Sequence, residues 1–147
     1  MARKRVTPHL RSIIAQRADG RCEYCRCPES FAPQAFSIDH ILPQSAEGET
    51  DLENLALAYQ GCNSHKYDKT HGFDPVSREL VSLFHPRKQA WSQHFSWTHD
   101  FLFIVGLTPT GRATVETLQL NRQNMVNVRM VLYTIGKHPP PETKTTK

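Results

Sequence analysis

The stretch FSIDHILPQSAEGETDLENLALAYQGCNSHKYDK, residues 36–69, decides the fold of this chain. Its first residues, 36–38, alternate apolar and polar side chains, which predicts a short β-strand. A turn-rich loop over 44–51 leads to an apolar run over 52–58, which we expect to be the returning strand. Residues from 62 to about 70 then favour a helix. The stretch therefore predicts two strands and a helix, with polar side chains where these elements connect.

The connections between these elements carry side chains suited to phosphodiester hydrolysis. The reaction needs a base that deprotonates water and positive charge that stabilises the crowded phosphorane. It also needs a group that stabilises the leaving oxygen. His40 offers an imidazole, Asp39 a carboxylate and Asn63 an amide oxygen. Oxygen ligands suit Mg²⁺ or Mn²⁺, although Ni²⁺ or Zn²⁺ is possible where histidine takes part. Adjacent residues of a regular strand face opposite sides, so the Asp39–His40 pair is expected at a strand end or bulge.

Three short motifs occur in order: D-H-I-x-P at 39–43, N-L at 54–55 and C-N-x-x-K at 62–66. Together they resemble the HNH endonuclease family, also called His-Me finger nucleases, over about residues 22–69. The resemblance implies an α+β fold built on a small ββα-metal core. An N-terminal helix and a C-terminal strand-helix extension would flank this core.

The resemblance also implies a role for each motif residue. His40 matches the general base, while Asp39 and Asn63 match the ligands of the catalytic divalent metal. Asn54 matches the central asparagine that fastens the loop and orients the base. Lys66 matches a lysine that could reach a phosphate. Two alternatives stay open at this point: His65 could take the metal position of Asn63, and Asn63 could serve only to cap its helix.

The chain has four cysteines: Cys22, Cys25, Cys27 and Cys62. In a chain without a secretory signal, C-x-x-C spacing favours metal binding over a disulfide framework. Cys22, Cys25 and Cys62 are candidate ligands of a structural zinc, but Tyr59 stands where many relatives carry a cysteine. A closed zinc site needs four ligands, so Cys27 or His65 would have to supply the last one. Without zinc, the cysteines would be small buried apolar side chains.

Composition limits the class of protein. The 147 residues carry a net charge of +4, with basic residues crowded near the N-terminus, which is compatible with either a nucleic-acid partner or a solvated basic face. No apolar run reaches the roughly 20 residues needed to cross a bilayer. The N-terminus lacks the apolar region of a secretory signal, so we expect a cytoplasmic protein with no membrane partner.

The rest of the chain extends the core into one predicted domain over 1–147. Thr7 and Pro8 predict a helix over about 8–19. An extension over about 75–137 should contain strands near 79–84 and 101–107 and two helices. The aromatic segment 91–97 is expected to join the core rather than stack on bases. The tail, about 138–147, should bury nothing.

The resemblance to HNH endonucleases implies a metal-dependent endonuclease that cleaves DNA, most simply double-stranded DNA, leaving 5′-phosphate and 3′-hydroxyl ends. The alternative is a non-catalytic zinc-knuckle nucleic-acid-binding protein, which the substitution at Tyr59 favours. A third possibility is a structural role in a phage or mobile-element assembly. The choice of DNA or RNA, nick or double cut, sequence preference and oligomeric state stay open.

Overall fold

A computed structural model describes residues 4–141, and within that range it contains five α-helices and three two-stranded antiparallel sheets. The elements, in chain order, are α1 (Pro8–Arg17), β1 (Ser37–His40), β2 (Leu55–Ala58), α2 (Gln60–Lys66), β3 (His71–Phe73), β4 (Leu80–Ser82), α3 (Trp91–His94), β5 (Phe95–Trp97), β6 (Ile104–Gly106), α4 (Pro109–Leu118) and α5 (Gln123–Thr134). The predicted α+β class is confirmed.

The first helix begins where the sequence predicted. The Thr7 hydroxyl accepts a hydrogen bond from the Leu10 backbone N–H over 3.1 Å, which caps α1 in front of Pro8. The helix ends at Arg17, two residues earlier than expected, because Asp19 and the following glycine adopt positive φ angles of 55° and 68°.

Strands β1 and β2 form a regular antiparallel hairpin that packs beside α2. Asp39 lies opposite Ala56, and His40 lies opposite Leu55. All four residues of β2 are buried, as the unbroken LALA run requires. The helix α2 starts two residues before the predicted Cys62 and ends at Lys66, since Tyr67 takes a positive φ of 53°. The ββα order of the core is therefore the predicted one.

The C-terminal extension contains more sheet than the sequence suggested. It forms two further hairpins, β3–β4 and β5–β6, and α4 packs against both and against α2. A two-pronged ion pair from Arg112 to Asp74, with distances of 2.8 and 2.9 Å, ties α4 to the turn of the β3–β4 hairpin. The segment 91–97 belongs to the core as expected: Phe95 is buried, and the Trp91 ring nitrogen donates to the Tyr24 carbonyl over 2.9 Å.

Packing continues further toward the C-terminus than the sequence indicated. His138 was predicted to lie in a tail that buries nothing, yet its ring is buried and meets the Trp97 ring edge-on at 4.5 Å. The His138 Nε2 also donates to the Phe101 carbonyl over 2.7 Å. The remainder of the predicted tail, residues 142–147, lies outside the described residues.

One cluster of buried apolar side chains joins these elements. It runs from Ile14 of α1 through the cysteine-rich turn and β2 to Met125 of α5. No helix within residues 4–141 is both long enough and apolar enough to cross a bilayer.

Four histidines that are partly or fully buried make stability depend on pH. Burial is the largest cause of a lowered pKa at His40, His85, His94 and His138. The unfolded chain therefore binds more protons than the folded chain just below the ordinary histidine pKa of about 6.5, so stability is full above that pH and falls as the pH drops through it. Thermal unfolding across this window should show the decline, and His94→Gln should make it shallower. A midpoint that does not change with pH would contradict this expectation.

Candidate active site

Asp39 and His40 lie at the end of β1, where the sequence predicted a strand end or bulge. The strand stops at His40, and the pairing with β2 stays regular up to that residue, so there is no bulge. The two side chains consequently leave opposite faces of the hairpin. Asp39 is 3% exposed, whereas His40 is only partly buried.

The Asp39 carboxylate is held by two donors. The Tyr24 hydroxyl donates to Oδ2 over 2.7 Å, and the Lys66 ammonium lies 3.2 Å from Oδ2 and 3.4 Å from Oδ1. Lys66 also donates to the Ile41 carbonyl over 3.0 Å and is itself only 1% exposed. A buried lysine needs such partners, because an isolated charge in the interior is costly. Lys66 thus neutralises Asp39 and joins α2 to the end of β1.

The His40 ring is oriented by Thr50. The distance from His40 Nε2 to Thr50 Oγ1 is 2.9 Å. The Thr50 hydroxyl donates to the Lys4 carbonyl over 3.3 Å and accepts from the Gln44 amide, so it is left to accept from Nε2–H. This tautomer leaves Nδ1 as the unprotonated nitrogen. Burial is the main cause that lowers the pKa of His40, and this favours the neutral ring at neutral pH.

Asn54 fastens the loop between the two strands. Its Oδ1 accepts from the Leu42 N–H over 2.8 Å, and its Nδ2 donates to the carbonyls of Leu42 and Glu49, each over 2.9 Å. The loop passes so close that a Cβ at Gly48 would lie 1.7 Å from the Leu42 carbonyl oxygen. Asn54 therefore holds the backbone just beyond His40.

Asn63 lies on α2, three residues before Lys66, so both side chains emerge on the same side of the helix. This is the side from which Lys66 reaches Asp39. Asn63 is partly buried, whereas His65 is exposed. The position of α2 thus favours Asn63 over His65 as a second metal ligand on the side of Asp39.

Three of the four cysteines form a buried group. The sulfur atoms of Cys22, Cys25 and Cys62 all lie within 4.8 Å of one another. Backbone N–H groups of Tyr24 and Cys25 donate to the Cys22 sulfur over 3.4 and 3.3 Å. Burial acts to raise the pKa of the Cys22 thiol, but hydrogen bonds from Cys25 and Cys62 together bring it well below its usual value. The group can hold a metal ion.

Neither candidate for a fourth ligand belongs to this group. The Cys27 sulfur points instead to the Pro28 carbonyl at 3.7 Å, and burial raises its pKa to about 11. His65 is exposed. Arg122 lies beside the group: its guanidinium donates to the Cys62 sulfur over 3.6 Å and stacks 5.6 Å above the ring of Tyr59. An arginine and an aromatic ring therefore lie beside Cys62 on this side of the group.

The comparison with known families agrees with this geometry. Residues 22–69 match the family model described as HNH endonuclease. This segment belongs to the HNH endonuclease family. No significant match was found among curated proteins or among solved structures. The HNH segment includes the cysteine group, β1, β2 and α2, and it implies a nuclease-class function with a nucleic-acid partner.

The side chains of the HNH segment fit a divalent ion. The Tyr24 hydroxyl and the Lys66 ammonium occupy only some of the roughly four lone-pair positions of the Asp39 carboxylate, so lone pairs are left to bind an ion. Carboxylate and amide oxygens are the ligands that Mg²⁺ and Mn²⁺ prefer.

Sequence reasoning missed two residues of the HNH site. Thr50 orients His40, and Tyr24 binds Asp39. Thr50 is an ordinary loop residue ten positions after His40, so nothing in the pattern indicated it. Tyr24 had a weak signal, since it lies inside the C-x-x-C turn next to the core.

Replacement of Asn54 tests how the HNH loop is fastened. Asn54→Ala removes three hydrogen bonds to the loop, so we expect unfolding free energy to fall by about 1–3 kcal/mol. Urea denaturation measures this loss. Asn124→Ala is the matched control, because this asparagine is exposed on α5, and it should leave the unfolding free energy nearly unchanged. A loss within about 0.5 kcal/mol for Asn54→Ala would show that the loop is held by other contacts.

Proposed function

We propose that the protein is a metal-dependent endonuclease that hydrolyses phosphodiester bonds of double-stranded DNA. The observation that carries the proposal is the His40 ring, oriented by Thr50 at the end of β1, one residue after the buried carboxylate of Asp39. A histidine with a lowered pKa and a free ring nitrogen is suited to remove a proton from water at neutral pH. The continuous core further supports one domain, with the extension packed on the HNH segment.

His40 acts as the general base. Its Nδ1 would take a proton from the attacking water, while Nε2–H stays bonded to the Thr50 hydroxyl. Thr50 is thus a positioning residue, which fixes the tautomer and the direction of the ring. Asn54 keeps the adjoining loop in place. The water oxygen attacks phosphorus and the 3′ oxygen leaves, which gives 5′-phosphate and 3′-hydroxyl ends.

Asp39 and Asn63 would hold the divalent ion. When bound, the ion supplies positive charge that stabilises the phosphorane and the leaving oxygen. The Tyr24 hydroxyl and the Lys66 ammonium both contact the Asp39 carboxylate and so fix its orientation. The predicted contact of Lys66 with a phosphate remains a prediction. Its ion pair with Asp39 holds the proposed metal ligand in position.

Nicking of supercoiled plasmid, followed by DNA ligase, tests this function. We expect the purified protein with Mg²⁺ or Mn²⁺ to relax the plasmid, and ligase to reseal the product, because ligase joins only 5′-phosphate to 3′-hydroxyl ends. Folded protein that binds the plasmid and never nicks it would instead support the non-catalytic binder. Nicks that ligase cannot seal would refute the proposed direction of cleavage.

We propose that the cysteine group holds a zinc through Cys22, Cys25 and Cys62, with the fourth ligand position left to a group from outside this cluster. Sulfurs that share one zinc lie about 4 Å apart, given Zn–S bonds of about 2.3 Å, and this fits the observed group. Three thiolates on one zinc leave a net negative charge, which Arg122 beside Cys62 would offset.

Native mass spectrometry should detect one zinc per chain in the wild type and none in Cys62→Ser. Cys27→Ser is the matched control, since Cys27 lies outside the group, and it should keep the ion. A wild-type chain without zinc, even after incubation with Zn²⁺, would show that the three thiols are only buried apolar side chains.

A further inference from the structure

We propose that the cavity between the end of β1, α2 and the β3–β4 hairpin is a phosphate-binding subsite for the nucleic-acid strand, next to the reacting phosphate. This inference rests on the proposed nuclease function. The cavity has a volume of about 420 Å³ and opens to solvent. Its polar lining comprises Lys66, Thr70, His71, Ser82, His85 and Lys88. A water molecule takes about 30 Å³, so a phosphate group fits together with several waters.

The charge of the lining selects an anion. Lys88 contributes positive charge, and no carboxylate of residues 4–141 lines the cavity. Lys66 also lines the cavity, but its charge is paired with that of Asp39, which is not part of the lining. Lys88 is exposed and pairs with no carboxylate in the described part of the chain, so its charge is available to a ligand.

His85 adds an oriented hydrogen-bond donor. Its Nδ1 accepts from the Arg87 backbone N–H over 3.2 Å, so the neutral ring carries its proton on Nε2. The turn that carries the ring is well fixed: the His85 N–H donates to the Gln89 side chain over 2.8 Å, and the His85 carbonyl accepts from the N–H groups of Lys88 and Gln89. His85 lines the cavity, so this fixed ring brings an Nε2–H donor to its wall.

The cavity adjoins the reacting position through Lys66. This side chain lines the cavity, and its ammonium lies 3.2 Å from the Asp39 carboxylate that would hold the ion. A phosphate in the cavity therefore belongs to a nucleotide near the one that is cleaved. A nucleic-acid strand, which carries phosphates at regular intervals, can occupy both positions at once.

The β3–β4 hairpin continues this surface. His71 pairs with Ser82 in the hairpin and both line the cavity, while the pair Phe73 and Leu80 comes next on the same face. Phe73 is 65% exposed and Leu80 is 58% exposed. An apolar strip beside a phosphate position is suited to contact with sugar or base surfaces of the same strand.

Salt-dependent binding tests the subsite. The probe is a short fluorescein-labelled DNA duplex in buffer without added Mg²⁺ or Mn²⁺, followed by fluorescence anisotropy over a range of salt concentrations. Loss of one phosphate contact in Lys88→Gln should lower the slope of log K against log[salt] by about 0.9 and weaken binding at every salt concentration. Lys137→Gln is the matched control, because it removes the same charge at an exposed lysine outside the cavity and should leave the slope unchanged.

The outcomes separate this inference from the proposed function. If the wild type binds and cleaves DNA while Lys88→Gln keeps the wild-type slope, the subsite is wrong and the nuclease stands. Equal losses in Lys88→Gln and Lys137→Gln would also overturn the subsite, because they would indicate only a diffuse effect of net charge. A wild type that neither binds nor cleaves DNA would overturn the nuclease and the subsite together.

Discussion

His40→Ala is expected to lower the rate of DNA cleavage by about 10²–10⁴-fold, which is the usual contribution of a general base. The side chain is oriented by Thr50 and burial lowers its pKa, so the variant loses a base that is both positioned and unprotonated at neutral pH. Affinity for DNA should change little, because a neutral imidazole contributes little to phosphate binding. Single-turnover cleavage of a labelled duplex separates the rate of the chemical step from the affinity.

Two further variants sharpen this test. His99→Ala removes an exposed histidine outside the site and should leave the rate unchanged. Thr50→Val keeps the shape of the side chain but removes the hydroxyl that holds Nε2, so the rate should fall less than in His40→Ala while affinity is maintained. A His40→Ala protein that cleaves at the wild-type rate would show that the base lies elsewhere or that the cleavage comes from a contaminant.

Asp39→Ala is expected to lower the unfolding free energy by about 3–5 kcal/mol. The substitution leaves the Lys66 ammonium, which is 1% exposed, with the Ile41 carbonyl as its remaining partner in the described structure. The Tyr24 hydroxyl loses its acceptor as well. An uncompensated buried charge is one of the few single changes with so large an effect. Urea denaturation measures the loss.

The double variant Asp39→Ala/Lys66→Met identifies the cause. It removes both charges and keeps an apolar side chain of similar length at 66, so it should be more stable than Asp39→Ala alone. Both variants should lack cleavage activity, since both lack the proposed metal ligand. If Asp39→Ala costs less than about 1 kcal/mol, or if the double variant is the less stable of the two, the ion pair does not stabilise the fold in this way.

The elements of the core could be predicted because their signals are local. Alternation before Asp39, the buried run in β2 and the helix-forming residues after Tyr59 each lie within a few positions. The order strand, strand, helix followed directly. The small hairpins of the extension were harder, because each strand has only three residues and its partner lies up to eleven residues away.

The sequence proposes the reacting groups of the candidate site, whereas the residues that hold those groups in place became visible only in the structure. Asp39, His40 and Asn63 follow a spacing that chemistry and family resemblance both indicate. Lys66 lies 27 residues from Asp39 in the sequence, and Tyr24 lies 15 residues from it. Neither contact can therefore be inferred from the local sequence pattern. A lysine near a helix end is ordinarily exposed, and only the fold shows that Lys66 is buried.

The most direct test of the account is the metal dependence of plasmid nicking by the wild type and by Asn63→Ala. In EDTA, neither protein should nick supercoiled DNA. With increasing Mg²⁺ or Mn²⁺, the wild type should nick first, and Asn63→Ala should need more ion to reach the same rate, because it offers one oxygen ligand fewer. Nicking by the wild type that persists undiminished in EDTA would contradict the proposed metal-dependent hydrolysis. So would folded, DNA-bound protein that fails to nick with any divalent ion.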